Sequence, residues 1–321
     1  MSGYFPILRG KQFELIAVRE FAQERPGNTT VHPIVEPVRD PTEKTGLQRM
    51  IAALEENDLR YTIIVNPGEG SLVDAAGGIN TIVDHLETTA ATPERMSFGV
   101  LFHSGGADAA LAAIDGSELS AAPINLIYDA PLIGPNDVGA MAGRAINFHI
   151  AEDKSAVRAL GDPFANGAQF VKLRDPFPRQ KTNVDYVDAG QSVFWSDHLF
   201  LEDDGFVGLS DYLTIGDNFS EGGSLPLALV IHLTYQDPES KLIYLRHFCS
   251  TSNADQSDPA GKFLEALEQL VDFADNQNLD NPALEVFRAY HDEKRFPGLG
   301  VIKKLSMQNH LYVMDEALSG Q

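Results

Sequence analysis

Two apolar runs near the middle of the chain frame the predicted fold: Phe170-Val171-Lys172-Leu173 and Leu227-Ala228-Leu229-Val230-Ile231-His232-Leu233. Continuous apolar runs of this kind are typical of strands that are buried on both faces. The segment between them, 174–226, is crowded with acidic, aromatic and glycine residues. Connections of that length are seldom structureless in a compact domain and usually act as lids or binding elements. We therefore predict that 174–226 is a long functional loop.

Similar apolar runs recur from the N-terminus onward, and the early ones alternate with segments of helical periodicity. This alternation is typical of a parallel sheet covered by helices. Eight runs predict an α/β protein built as a closed (β/α)8 barrel of the TIM type, distorted near its last strands. The predicted strands are 4–8, 31–35, 61–65, 97–102, 124–128, 145–150, 169–173 and 227–233.

Helix signals separate these runs and continue beyond them. Residues 12–25 place apolar side chains on one stripe. Asp40-Pro41, Asp258-Pro259 and Asn281-Pro282 each combine a capping residue with proline, which predicts three helix starts.

The last predicted strand is followed closely by another, 241–248, and the connection is too short for a crossover helix. These two runs predict an antiparallel hairpin. We expect two regions: a barrel, 1–250, that includes the long loop 174–226, and a helical region, 251–321, packed on the barrel.

Composition limits the classes of function. Among 321 residues, 43% are hydrophobic, which is enough for a large core. A formal net charge of −22 argues against direct nucleic-acid binding, which needs basic side chains. The single cysteine, Cys249, excludes an internal disulfide and fits a reducing compartment. The sequence has neither the pattern of an export signal nor an apolar run of membrane-spanning length, so we expect a cytoplasmic protein.

The opening of the chain resembles a known family. Tyr4-Phe5-Pro6-Ile7-Leu8-Arg9-Gly10-Lys11, then Glu14-Leu15-Ile16-Ala17 and Pro33-Ile34-Val35-Glu36, are similar to the start of the "beta protein" family of bacteria and phages. Phe194-Trp195-Ser196-Asp197-His198 and Leu209-Ser210-Asp211-Tyr212 look like one branch of it, whose genes neighbour a gene for a restriction-nuclease-like protein. The resemblance covers most of the chain. It implies no established activity, only a setting in phages, mobile elements or phage defence.

Ionisable and amide side chains follow the ends of the predicted barrel strands. Barrel enzymes build their active sites at these carboxyl ends. Polar strand ends also arise because the next helix needs a cap, but three histidines and two acids at equivalent positions exceed what capping explains. The rim residues are Arg9, Lys11, Glu36, Asn66, His103, Asp129, His149, Glu152, Arg174, Asp175 and His232.

Two chemistries fit this rim, and the sequence leaves both open. In the first, a divalent metal activates water, although no HExxH or His-x-His spacing supports a metal site locally. Its candidate ligands are Glu36, His103, Asp129, His149 and His232. In the second, Glu36 or Asp129 is a general base and a histidine is the general acid. Arg9 and Lys11 would bind the anionic group of the substrate.

The long loop adds candidate residues with two readings. Asp211 and Tyr212, together with Asp197, His198, Asp217 and Glu221, would reach the rim if the loop folds over it, or else form a solvated acidic surface. Asn66, Arg174, Asp175, Asp211 and Tyr212 complete the predicted substrate-binding set. We expect Trp195 to lie in a small core under the loop and Cys249 to be buried in the hairpin.

The sequence therefore predicts an enzyme that acts on a small anionic, phosphate-bearing substrate. Hydrolysis of the phosphodiesterase kind, with or without a metal, is the expected reaction class. The alternative is a non-catalytic barrel that binds and regulates the nuclease-like partner implied by the resemblance.

Overall fold

The computed structural model describes residues 2–27, 29–73, 77–89, 91–102, 107–128, 146–154, 167, 169–220, 222 and 227–319. The chain divides into two compact units. Unit 1 comprises Met1–Arg174 and Phe200–Asp211, and unit 2 comprises Asp175–Leu199 and Tyr212–Gly320. The chain thus leaves unit 1 after Arg174, returns to it for a short segment, and then continues in unit 2.

A nine-stranded sheet, in which each neighbouring pair is parallel, forms the core of unit 1 in the described part of the chain. Its central strands are buried along their whole length because both faces are covered. The strands are β1 (Gly3–Tyr4), β2 (Ile7–Leu8), β3 (Ile34–Val35), β4 (Tyr61–Ile64), β5 (Met96–Phe102), β6 (Ile124–Tyr128), β7 (Ile146–Ala151), β8 (Gln169–Leu173) and, after β9 (Gln191–Trp195) of unit 2, β10 (Gly208–Ser210). Their order is β1-β10-β8-β7-β6-β5-β4-β3-β2.

Residues 3–8 contain β1 and β2, the two strands at opposite ends of this order. This one segment therefore forms hydrogen bonds along both of its edges. On one side, the Phe5 N–H donates to the Leu209 carbonyl at 2.7 Å. On the other side, the Tyr4 N–H donates to the Thr30 carbonyl at 2.8 Å, and the Glu36 N–H donates to the Leu8 carbonyl at 2.8 Å. Because one segment bonds to both ends of the order, the sheet is curled.

Helices follow several of these strands, as the alternation predicts. They are α1 (Gln12–Glu24), α2 (Gly46–Glu56), α3 (Gly78–Glu87) and α4 (Ala107–Asp115). The start predicted for α2 at Asp40-Pro41 is wrong. The Asp40 carboxylate instead accepts a hydrogen bond from the Thr42 N–H at 2.8 Å, which holds a local turn, and the helix begins at Gly46.

Unit 2 contains an antiparallel sheet of order β11-β12-β9, with β11 at Val230–Gln236 and β12 at Ile243–Cys249. The predicted hairpin is thus confirmed. Helices α5 (Tyr186–Ala189), α6 (Pro259–Asn276), α7 (Pro282–Asp292) and α8 (Leu299–Ser319) accompany it. The predicted starts of α6 and α7 are confirmed, because Asp258 accepts from the Gly261 N–H and Asn281 from the Leu284 N–H.

The long apolar run 227–233 is not a strand of the parallel sheet. Its residues enter β11, which pairs antiparallel with β12. The strand that follows β8 in the parallel sheet is β10. It has three residues and lies within 174–226, the segment predicted to be a loop. That segment also supplies β9 to unit 2, and Trp195 is completely buried as expected. The boundary predicted after residue 250 does not coincide with the division into two units.

The mixed α/β class with a curled parallel sheet is confirmed. Helix α8 packs in unit 2, where the Asn309 side-chain amide donates to the Thr234 carbonyl at 2.8 Å. Among the described residues, no helix is both long enough and apolar enough to cross a membrane.

Replacing Tyr4 with Phe is expected to destabilise unit 1. The Tyr4 hydroxyl donates to the Asp211 carboxylate at 2.5 Å, and both side chains are completely buried. Burial and then the Asp211 charge raise the pKa of Tyr4, so the hydroxyl keeps its proton. Loss of a hydrogen bond to a buried charge costs about 2 kcal/mol. We expect that decrease in the free energy of unfolding, measured by urea denaturation.

The matched control is Tyr244→Phe, whose hydroxyl has no hydrogen bond within the described residues. This control should unfold like the wild type. Equal stability of Tyr4→Phe and wild type would contradict the role assigned to this bond.

Candidate functional site

The two faces of the parallel sheet carry different side chains. The Asn125 amide donates to the Thr62 hydroxyl at 2.8 Å across β5, so both residues point to one face. Asn125 is in register with Phe148, which therefore shares this face, and the Phe148 ring lies 4.9 Å from the Phe5 ring. We name this the Asn125 face. His149, which follows Phe148 in the sequence, points to the opposite face.

Arg9 and Glu36 form an ion pair at the carboxyl end of the Asn125 face. Ile34 is in register with Thr62, and Glu36 lies two residues beyond Ile34. The Glu36 carboxylate is completely buried; one oxygen accepts from the Arg9 guanidinium, and the other accepts from the Gly68 N–H at 2.7 Å. The structure thus brings two predicted site residues together and connects three strand-to-helix loops through one carboxylate.

Asn66 lies at the same end of the sheet but has a structural role. Its amide nitrogen donates to the Leu101 carbonyl at 2.7 Å, and its amide oxygen accepts from the Leu101 N–H at 2.9 Å. The side chain is almost completely buried. Because both ends of the amide bind the backbone of Leu101 within β5, Asn66 joins the loop after β4 to the neighbouring strand and is not aimed at a substrate.

His149 is separated from Glu36 by the sheet itself. Its ring is buried and stacks between Tyr128 and Phe170, with centroids 5.9 and 5.5 Å away. Its Nδ1 lies 2.7 Å from the Tyr128 hydroxyl. Burial lowers the pKa of His149 to about 4 and raises that of Tyr128. The contacts describe a neutral histidine in an aromatic core; the predicted convergence of His149 with Glu36 is absent.

A basic cavity of about 400 Å³ lies between the first halves of α1 and α2. We name it the basic pocket. Five cationic side chains line it against one carboxylate, that of Asp40. The lining residues are Gly10, Lys11, Gln12, Leu15, Ile16, Arg19, Pro37, Arg39, Asp40, Pro41, Lys44, Thr45, Gly46, Leu47 and Arg49.

Both helices begin at this pocket without a side-chain cap. Lys11 precedes α1 and Thr45 precedes α2, and neither side chain accepts a hydrogen bond from its helix. The partial positive charge of the two helix N-termini adds to that of the lysines and arginines, and the Glu14 carboxylate in the first turn of α1, which accepts from the Arg9 N–H at 2.6 Å, offsets part of it. Hydrogen bonds from Thr42 lower the pKa of Asp40, so this one acid stays ionised near neutral pH.

Lys11 is the only residue of the predicted set that lines the pocket. Arg19, Arg39, Lys44 and Arg49 were not predicted, because they follow no strand end directly and lie outside the long loop 174–226. Helical spacing would have found Arg19, because positions 11, 12, 15, 16 and 19 share one stripe of α1.

The other predicted residues lie in varied surroundings. Arg174, in unit 1, donates its backbone N–H to the Ser210 carbonyl at 3.0 Å. Asp211, also in unit 1, is buried and accepts the hydrogen bond from the Tyr4 hydroxyl. Tyr212 is buried in unit 2. Asp175, also in unit 2, accepts from the Asp217 and Phe177 N–H groups. Burial raises the pKa of Asp175, and the Asp217 carboxylate adds to this increase.

His232 belongs to the sheet of unit 2 and not to the parallel sheet. Its Nδ1 lies 2.8 Å from the Nδ1 of His247, so one of these two nitrogens donates a hydrogen bond and the other accepts it. The Tyr186 ring packs on both, at 4.8 and 4.6 Å. Burial lowers the pKa of His232 to about 3 and that of His247 to about 4. Cys249, on the same strand as His247, is buried as expected, and burial raises its pKa to about 11.

His103, Asp129 and Glu221 lie outside the described residues. Within the residues that are described, no group of three or more His, Cys, Asp or Glu side chains could hold a metal ion. Glu152 is exposed at the end of β7. The metal alternative therefore gains no support from the described side chains and stays a prediction.

Comparisons with known proteins add little. No protein-family model matches the chain, and no curated protein does. A geranylgeranylglyceryl phosphate synthase structure from Thermoplasma acidophilum, with sn-glycerol-1-phosphate, is 11% identical, covering 65% of this chain and 84% of that one at a TM-score of 0.25. Two malate synthase structures from Haloferax volcanii are 11% and 13% identical, each covering 94% of this chain and 88% and 87% of theirs, at TM-scores of 0.27 and 0.28. At such TM-scores these likenesses carry no argument about this protein.

Acidification is expected to destabilise the protein through His149. Its folded pKa of about 4 lies below the ordinary value of 6.5, so the unfolded chain binds the proton first. Stability is complete above the unfolded pKa and falls as the pH decreases from about 7 towards 4. For this histidine the loss by pH 5 is about 2 kcal/mol.

The double variant Tyr128→Phe/His149→Phe removes the titrating ring without leaving a lone hydroxyl. Urea unfolding at pH 8 and pH 5 should show a smaller pH effect in this variant than in Tyr128→Phe, which keeps the histidine. An identical pH effect in both would show that His149 does not contribute.

Proposed function

We propose that this chain is an enzyme whose substrate is a small phosphate-bearing anion bound in the basic pocket. The observation that carries this proposal is the convergence of five cationic side chains and two uncapped helix N-termini on one cavity. Helix N-termini and basic side chains bind phosphate through backbone N–H groups and charge-assisted hydrogen bonds. The cavity volume lies in the range of small-molecule sites.

The acidity of the rest of the chain makes this pocket informative. The sequence has 46 Asp+Glu against 24 Lys+Arg, whereas the pocket has one acid against five bases. The pocket is therefore opposite in sign to the whole protein. Within the described residues, Arg19, Lys44 and Arg49 form no ion pair with a carboxylate, so a bound anion would find these charges available.

Glu36 is the acid-base residue of this proposal. Gly10 and Pro37, which directly follow Arg9 and Glu36, both line the basic pocket. Gly10 has a positive φ of 63°, and a Cβ there would lie 3.1 Å from the Glu36 carbonyl, which lets the two loops approach closely. The Glu36 carboxylate is buried and does not itself line the pocket, so its proposed part in proton transfer requires a substrate that reaches past Gly10 and Pro37. Arg9 positions that carboxylate.

We also propose that the curled sheet is a closed eight-stranded barrel in which β1 and β2 are two halves of one strand. The hydrogen bonds from residues 3–8 to both ends of the strand order support it. In such barrels the active site lies at the carboxyl ends of the strands. In support of this, the loops that lead into the pocket leave the sheet at the carboxyl ends of β2 and β3.

Hydrolysis with metal assistance, membership of the "beta protein" family, a setting in phage defence and regulation of a nuclease-like partner all stay predictions. None of them is needed for the anion-binding proposal.

Anion binding should depend on the pocket cations. We expect Lys44→Ala to weaken the binding of inorganic phosphate and of pyrophosphate about tenfold or more, because a charge-assisted hydrogen bond contributes about 1.5 to 3 kcal/mol. Isothermal titration calorimetry at low salt would measure the change. Lys181→Ala removes the same charge from exposed chain in unit 2 and is the control. Phosphate binding that is absent, or that is equally affected by both variants, would contradict the proposal.

Replacing Glu36 should lower the rate of catalysis more than it weakens substrate binding. Wild type and Glu36→Gln would each be incubated with a panel of phosphate monoesters and diesters. We expect at least one compound of the panel to bind both proteins. Only the wild type should convert it at full rate, since loss of a general base lowers the rate about 100-fold or more. Mass spectrometry of the products would measure it. Equal turnover by both proteins, or binding without any turnover by the wild type, would contradict the enzyme assignment.

A further inference from the structure

The charges of the basic pocket are not gathered at one point. Lys11 precedes α1 and Arg19 lies eight residues further along the same helix. At 1.5 Å per residue, their backbones are about 12 Å apart along the helix axis. On α2, Arg49 lies four residues after Thr45, about 6 Å along its axis. A phosphate held at the start of α1 would therefore lie nearer to Lys11 than to Arg19.

The floor between the two ends is apolar. Leu15 and Leu47 are buried lining residues, and Ile16 is partly buried beside them. The two helices meet here, because a Cβ on Gly46 would lie 3.1 Å from the Leu15 side chain. Glycine at this position therefore keeps the helices close and the groove floor low. An uncharged part of a ligand would lose least by lying on this floor, since it displaces water from apolar surface.

The basic pocket thus has two cationic ends. The proximal end contains Lys11, Lys44 and Arg39 with both helix N-termini, and the distal end contains Arg19 and Arg49. The only carboxylate of the lining, Asp40, belongs to the loop that leads to α2 and not to the distal end.

We infer that the ligand of the basic pocket carries two phosphoryl groups at opposite ends of an apolar or aromatic middle segment. This inference rests on the proposed function and names its substrate class. One phosphoryl group binds at the two helix N-termini, the middle lies over Leu15 and Leu47, and the second group binds Arg19 and Arg49. The backbone spacing along the helix axes, about 6 to 12 Å, sets the expected span between the two phosphoryl groups.

A homologous series of straight-chain alkane bisphosphates tests this class directly. Isothermal titration calorimetry would compare ethane-1,2-bisphosphate through dodecane-1,12-bisphosphate with alkyl monophosphates of equal chain length. Affinity should pass through a maximum at an intermediate length. There the bisphosphate should bind about tenfold or more tightly than its monophosphate, as one additional charge-assisted contact requires.

Variants separate the two ends. Arg19→Ala should lower the affinity for the best-binding bisphosphate to that for the monophosphate of equal chain length. It should leave the binding of inorganic phosphate unchanged. Lys11→Ala should weaken both kinds of ligand. Arg25→Ala, just beyond the end of α1 and outside the pocket lining, should change neither.

The outcomes distinguish this inference from the proposed function. If bisphosphates bind no more tightly than monophosphates while inorganic phosphate still depends on Lys11, the inference is wrong and the anion site stands. A length maximum that persists in Arg19→Ala also overturns it. If neither phosphate nor any bisphosphate binds the wild type, both proposals are wrong.

Discussion

Backbone pairing of residues 3–8 on both of their edges is the constraint on which the rest of unit 1 depends. One edge bonds to the segment around Leu209 and the other to residues 30–36. The second set of bonds aligns β2 with β3, so the loops that follow these strands emerge side by side. Arg9 and Glu36 can then pair, and α1 and α2 begin next to each other. The basic pocket is a product of this register.

The electrostatics of the pocket follow from the same alignment. Two helices that start at neighbouring strand ends bring their N-termini to one place, and neither is capped by its preceding side chain. Lys11 interacts with the buried Glu14 carboxylate, whereas Arg19, Lys44 and Arg49 form no ion pair within the described residues, so a bound anion would offset the repulsion among these three. In a chain with a net charge of −22 there is no shortage of acids to neutralise them, and only Asp40 lines the cavity.

Much of the fold could be predicted from the sequence, because buried parallel strands produce apolar runs. The exceptions have physical reasons. β10 is Gly208-Leu209-Ser210, too short and too small in side chain to be recognised. The run 227–233 is apolar because it is buried, but burial does not reveal which sheet a strand joins. The Arg9 and Glu36 pairing was accessible, since both follow strand ends. His149 was misplaced because strand-end reasoning ignored the alternation of side chains between faces.

The position of β10 has a consequence for how the protein is made. Unit 1 takes its strand at 208–210 only after the chain has passed through 175–199, which belongs to unit 2. A nascent chain that ends before Asp211 therefore exposes unpaired edges on β1 and β8, and Tyr4 lacks its carboxylate partner. Contacts between residues some 200 positions apart form slowly, since a long loop must close first. During synthesis these bare edges are sites where aggregation can begin, and the ribosome must release most of the chain before they are covered.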